Sequence, residues 1–114
     1  MANPSKRKGD RYELEAARLC TDLFGREVRR KLGAGRTDDT GDLEGINGLT
    51  IQVKAYRNIS DGVQSALKDS PRNQANAGDP FGVAMVRIRG GGWAFVMTPE
   101  QFADLIAMHI TGSH

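Results

Sequence analysis

The stretch that most constrains this chain runs from Gly41 to Tyr56, where two short alternating runs flank Asn47-Gly48. An Asn-Gly pair between alternating segments marks a β-hairpin, because both residues tolerate the positive φ that tight turns demand. From Leu49 to Ala55 the odd positions Leu49, Ile51, Val53 and Ala55 are apolar or small. Thr50, Gln52, Lys54 and Tyr56 share the opposite face, since side chains alternate along a strand.

Register narrows the hairpin further, because residues directly opposite in an antiparallel pair point to the same face. A two-residue loop of Asn47 and Gly48 would set Asp42 against Val53 and Glu44 against Ile51, placing carboxylates among apolar neighbours. A three-residue loop of Ile46, Asn47 and Gly48, a type I turn closed by a glycine bulge, sets Leu43 against Ile51 and Asp42 against Gln52. One face is then apolar, and the other gathers Asp42, Glu44, Gln52 and Lys54.

The remaining elements follow in order. Residues 1–8 read as a basic, flexible tail carrying Lys6, Arg7 and Lys8. Helical spacing of Tyr12, Ala16, Leu19, Cys20, Leu23 and Phe24 predicts a helix from Gly9 to Phe24, stopped by Gly25. At about 100° per residue, Glu13 falls on the core-facing edge of that helix and Glu15 falls toward solvent. Glu27 to Leu32 reads as a strand with Val28 and Leu32 on one face and Arg29 and Lys31 on the other. Gly33 to Gly41 reads as a loop that either simply connects or brings Arg36 to a phosphate. It lacks the lysine and hydroxyl of a nucleotide-binding P-loop.

Ser60 is positioned to cap a helix, and Ser70-Pro71 to restart a second one ending at Gly78. Phe81 to Arg89 is apolar on both faces, as a central strand is, and three glycines turn it into a strand from Trp93 to Met97. Thr98, Pro99 and Gln101 open a last helix as cap, first residue and capping-box partner. Its apolar stripe of Phe102, Leu105, Ile106, His109 and Ile110 is expected to face the core, with His109 structural. Residues 111–114 read as a tail. The predicted architecture is a single α/β domain over residues 9–110, a mixed β-sheet flanked by helices in the order α-β-β-β-α-β-β-α.

At 114 residues the chain buries an adequate core without staples, and its one cysteine, Cys20, forms no internal bridge. No apolar run reaches the length of a membrane span and no hydrophobic signal core opens the chain, so a cytoplasmic protein is expected. Residues 1–36 carry ten Lys/Arg against five Asp/Glu, and residues 37–114 six against nine. A basic amino-terminal half beside an acidic cluster suits a polyanion-binding surface that also holds divalent cations.

Neither histidine has a companion that would build a nucleophilic triad. Glu13, Asp42 and Gln52 instead offer hard oxygen donors suited to Mg²⁺, and Lys54 follows two residues after Gln52 on the same face. A metal that holds a scissile phosphate beside a lysine serving the attacking water is a phosphodiester-hydrolysing set.

These residues resemble the PD-(D/E)XK nuclease superfamily and, within it, Holliday junction resolvases of the archaeal and phage type. The likeness rests on Lys8-Gly9, Glu13, Gly33-Ala34-Gly35, Asp42 and Gln52-Val53-Lys54, and it spans residues 6–56. Gly41 stands at the family's proline, and Gln52 at its second acid. The resemblance implies a restriction-endonuclease-like fold and a Mg²⁺-dependent endonuclease, with Mn²⁺ able to substitute. Glu13, Asp42, Gln52 and the Val53 carbonyl would hold the metal, and Lys54 would serve the water. The implied substrate is branched DNA, cut by a homodimer during recombination or repair, and the resemblance extends to phage-encoded enzymes acting in the host cytoplasm. Lys6, Arg7, Lys8, Arg11, Arg29, Arg30, Lys31, Arg36 and Arg57 are the expected backbone contacts. A superfamily nuclease for other DNA, such as a nicking or restriction-type enzyme, and a DNA-binding module without chemistry are the alternatives.

Overall fold

The structure, a computed structural model, describes residues 4–32 and 40–112, with side chains described from residue 10 onward. The elements are α1 (Pro4–Phe24), β1 (Arg29–Arg30), β2 (Leu43–Glu44), β3 (Leu49–Lys54), α2 (Ile59–Ala77), β4 (Phe81–Ile88), β5 (Gly92–Val96) and α3 (Pro99–Gly112). The strands form one five-stranded mixed sheet in the order β1-β2-β3-β4-β5. Every pairing is antiparallel except β3 with β4, which is parallel and needs α2 as its crossover. The chain is therefore an α/β protein whose mixed sheet is flanked by three helices.

The two faces of the sheet are filled by different helices. Ile51, Val83 and Met85 pack with Leu43, Val28 and the α1 residues Ala16, Ala17 and Cys20. Small residues on that side of α1 let its backbone lie close to the strands. Ala84 and Val86, which register beside Gln52 and Lys54, pack on the other face against Ala66 of α2. Burial pushes the Cys20 thiol up to about 11, and its Sγ lies 3.3 Å from Met85 Sδ.

The hairpin has the register derived from its face pattern, with Leu43 paired to Ile51. Its turn differs in detail. Leu49 N donates to Ile46 O at 3.2 Å, and Gly48, at φ 79°, is the third residue of that four-residue turn rather than a bulge after a completed one. Gly45, at φ 134°, is also required: a Cβ there would collide with the Glu27 carbonyl oxygen of the neighbouring chain segment.

Four other expectations are corrected. α1 begins at Pro4, a residue suited to the first helical position, so Lys6, Arg7 and Lys8 lie in a helix rather than in a flexible tail. β1 is two residues long instead of spanning Glu27 to Leu32, because its strand partner among the described residues, β2, is equally short. α2 is one helix of 19 residues running through Pro71, capped by Asn58 and not by Ser60. Packing along β3 and β4 holds it through the hydrogen bond that the proline cannot make. Gly78 ends it in the left-handed conformation, as expected.

The largest departure is α3. Its capping box forms as its sequence predicts: Gln101 N donates to Thr98 Oγ1 and Thr98 N to Gln101 Oε1, each at 3.0 Å. Gln101 is then the helix's one buried residue, donating to Ser70 Oγ and Gln74 Oε1 of α2. The apolar stripe does not reach the core, since Phe102 is 55% exposed and Ile110 62%. His109 is exposed with it and is not a core histidine. The sheet faces are already covered by α1 and α2, so no core remains for this stripe to enter.

Cys20 is expected to resist thiol reagents at neutral pH in the folded protein and to react at the rate of unfolding. Prompt labelling under native conditions would contradict the packing of α1 on β4.

Candidate functional site

Leu43 pairs with Ile51, Asp42 stands just before β2, and Gln52 and Lys54 share one face of β3. The backbone fixes Asp42 at this point, its N–H donating to Ile51 O at 2.8 Å. Its carboxylate Oδ2 accepts the Val53 N–H at 2.7 Å, which orients the side chain across the strand pair. Gln52 is buried. Of the four residues expected to be catalytic, Gln52 and Lys54 lie on one face of β3, and Asp42 adjoins that strand through the Val53 amide.

The face they occupy is covered by α2, so its polar groups meet polar groups of that helix and of the turn after it. Lys54 Nζ donates to Asp69 Oδ2 at 2.7 Å, with only 11% of the lysine side chain exposed. Ser65 and Arg72 also donate to the Asp69 carboxylate. Thr50 Oγ1 donates to Asp79 Oδ2 at 2.7 Å just beyond the carboxyl end of α2. The hydrogen bond from Lys54 holds the Asp69 carboxyl below its ordinary range, against the opposing effect of burial, with the charges of Lys54 and Arg72 adding to the depression. Lys54 is consequently a positioned cation, its ammonium also 5.7 Å from the Tyr56 ring centroid.

Glu13 is not part of this group. It lies on α1, against the other face of the sheet, where its Oε1 accepts from Arg30 Nε at 3.2 Å. The same guanidinium reaches Asp10 at 2.8 Å. Glu15 is also corrected: it does not turn to solvent but accepts from Trp93 Nε1 at 3.1 Å and from Arg87 at 2.9 Å. α1 lies across the sheet, so Glu13 reaches β1 and Glu15 reaches β4 and β5. Helical angle alone separates the two residues without saying that strands lie on both sides.

Among the described residues no group of three or more His, Cys, Asp and Glu side chains could by itself hold a metal ion. Of the proposed oxygen donors, Gln52 lies on β3 and Asp42 adjoins it, and Val53 contributes its amide to Asp42 in the contact that is seen. Such a pair suits Mg²⁺ in one respect. The ion keeps several waters and is commonly bound through one or two protein oxygens plus substrate phosphate.

The expected DNA contacts divide. Arg29 is paired with Glu27 and Glu44, Arg30 with Asp10 and Glu13, and Lys31 donates to Thr40 O at 2.7 Å. Arg11 stacks 5.1 Å from the Tyr12 ring centroid. Arg36 lies outside the described residues, as do the side chains of Lys6, Arg7 and Lys8. Among the described side chains of this set, Arg57 lines a large cleft.

That cleft, about 710 Å³ in volume, opens beyond the carboxyl ends of the parallel strands β3 and β4 and is walled by Tyr12, Tyr56, Arg57, Arg87 and Arg89. Open mixed and parallel sheets favour ligand sites at this edge. Arg87 stacks 5.4 Å from the ring centroids of both Tyr12 and Trp93. Sequence reasoning missed all of the cleft except Arg57. Its signal was present as Arg87 and Arg89 in alternation at the end of a strand, but the joining of residues 12, 56 and 89 depends on the fold.

A scan of protein-family models, a search of curated proteins and a search of solved structures each find no match to this chain. No helix among the described residues is long and apolar enough to cross a membrane.

The depressed Asp69 carboxyl gives a pH dependence of known sign. Its stabilisation is fully present above the ordinary carboxyl value of 3.8 and is lost as pH falls through the lower folded value. Asp69→Ala is expected to cost about 1.5–3 kcal/mol at neutral pH, the usual worth of a hydrogen bond to a charged group. Urea melts of both proteins at neutral and strongly acidic pH should show the difference shrinking in acid.

Proposed function

We propose that this protein is a metal-dependent DNA endonuclease of the PD-(D/E)XK kind acting on branched DNA, with four-way junctions as its substrate. The observation that supports the reading is the placement of Gln52 and Lys54 on one face of β3 beside Asp42, whose carboxylate is held by the Val53 amide. The charge asymmetry of the chain and the arginine-lined cleft beside Lys54 support a polyanionic substrate.

Asp42 and Gln52 would hold Mg²⁺, while Glu13 is engaged by Arg30. When bound there, the ion would supply Lewis-acid stabilisation of phosphate charge and lower the pKa of a coordinated water. The chain's own contribution is positional. Val53 N–H fixes the Asp42 carboxylate, and Asp69 fixes the Lys54 ammonium as a charged donor. So held, Lys54 would orient a water or a phosphate oxygen. Cutting two symmetric strands calls for two such sites, and a homodimer would supply them. The exposed apolar residues of α3 offer that dimer a surface.

The withdrawal of Glu13 to Arg30 and the engagement of Lys54 by Asp69 favour a second reading, a DNA-binding module without chemistry. Junction, linear duplex, flap and single-stranded substrates, each incubated with Mg²⁺ or EDTA, separate the two. Under the first reading, wild-type protein cuts junctions in Mg²⁺ alone, and Asp42→Asn and Lys54→Ala each lose about a hundredfold or more in rate while still binding. Wild-type cutting no greater than that of Asp42→Asn, with equal junction binding, leaves the binding module.

A further inference from the structure

The cleft beyond β3 and β4 is a separate feature from the aligned polar face, and it has a composition that identifies its ligand. Among the described residues Arg57 and Arg89 have no ion-pair partner, unlike Arg29, Arg30, Arg72 and Arg87, each of which is matched to a carboxylate. Two guanidinium groups with no ion-pair partner among the described residues therefore face one concavity. They, and not the start of α2, are its anion receptors, because the Asn58 side chain already accepts from Ser60 N and Asp61 N at that helix end.

The walls add stacking surfaces. Tyr56 is 45% exposed and is tied by its hydroxyl to Ser65 Oγ at 2.9 Å, so the ring is presented in a fixed position. On the far wall Arg87 is held by Glu15 and lies over Tyr12 and Trp93, making a braced guanidinium-aromatic stack. Cations that take backbone phosphates beside aromatic rings that take bases are the two parts of a single-strand binding site. Duplex DNA satisfies the arginines but keeps its bases inside the stack, away from Tyr56. The volume of about 710 Å³ is on the scale of a small-ligand site.

We infer that this cleft is a subsite for an unpaired segment of DNA, with Arg57 and Arg89 on consecutive phosphates and a base stacked on Tyr56. The assignment rests on the nuclease reading for DNA as the ligand, and deepens it. A strand that unpairs at a branch point would be held two residues beyond Lys54 along the same chain segment.

The test is made in EDTA, so that binding is read without cleavage. A single-stranded oligodeoxynucleotide of about ten nucleotides is compared with a duplex of equal length and with inorganic phosphate. Readouts are anisotropy of the labelled DNA and the emission of Trp93, the only tryptophan. The single strand should bind at least tenfold more tightly than the duplex and shift Trp93 emission, with inorganic phosphate failing to compete at comparable concentration. Removing both exposed cations with R57Q and R89Q should weaken single-strand binding and lower the slope of log affinity against log salt by about 1.4, or 0.7 per phosphate. Tyr56→Ala should weaken it about tenfold, whereas Tyr56→Phe, which keeps the ring and loses the Ser65 contact, should retain it.

Equal binding of duplex and single strand with no effect of Tyr56→Ala would overturn the assignment, as would competition by inorganic phosphate alone. If junction cutting is absent but cleft-dependent single-strand binding is present, the nuclease reading fails and the subsite stands. Junction cutting together with arginine variants that bind single strands like wild type would remove the subsite alone. Melting curves of each variant confirm that folding is intact.

Discussion

The parallel pairing of β3 with β4 is the constraint on which the rest of the structure depends. Two parallel neighbours cannot be joined by a tight turn, so the chain must cross over, and α2 does so on the face opposite α1. β3 is thereby covered on both sides. Its odd residues meet the small apolar surface of α1, and its even residues meet α2. A strand with a polar face buried in this way needs partners for every polar group, and Lys54 finds Asp69 while Thr50 finds Asp79. The same crossover leaves a cleft at the carboxyl ends of the two strands, where the turn into α2 and the turn after β4 diverge.

This arrangement explains why an apolar last helix lies exposed. Once both faces of the central strands are covered, α3 is attached chiefly through its first turn, where Gln101 closes the capping box with one end of its amide and bonds α2 with the other. The residues beyond it carry an apolar stripe with no sheet left to cover. Contiguous exposed apolar surface of this kind is characteristic of interaction sites.

The hairpin register was legible because strands have a period of two, so a one-residue slip would have moved Leu43 and Ile51 to opposite faces. The Thr98–Gln101 cap and the end of α2 at Gly78 were legible for a similar reason, since each is a local hydrogen-bonding pattern with its own residue signature. What the chain does not state locally is which helix covers which face. Glu13 was placed on a core-facing edge, and it does sit at one, but beside Arg30. Glu15 meets Trp93, 78 residues distant in sequence, and no periodicity within α1 encodes that meeting. The walls of the cleft come from α1, the β3–α2 turn and the end of β4, and their meeting depends on the crossover.

The choice among the proposed metal ligands is the point on which the functional account turns. Asp42 adjoins β3 through the Val53 amide, and Glu13 on α1 is held by Arg30. Resonance broadening of backbone amides by sub-stoichiometric Mn²⁺ reads this choice directly. The account predicts that broadening is strongest at Asp42, Gln52 and Val53 and extends to Ala84, while Glu13 and Arg30 are affected later in the titration. Broadening centred on Glu13 and Asp10, or broadening spread evenly over the acidic surface with no preference for Asp42, would contradict it.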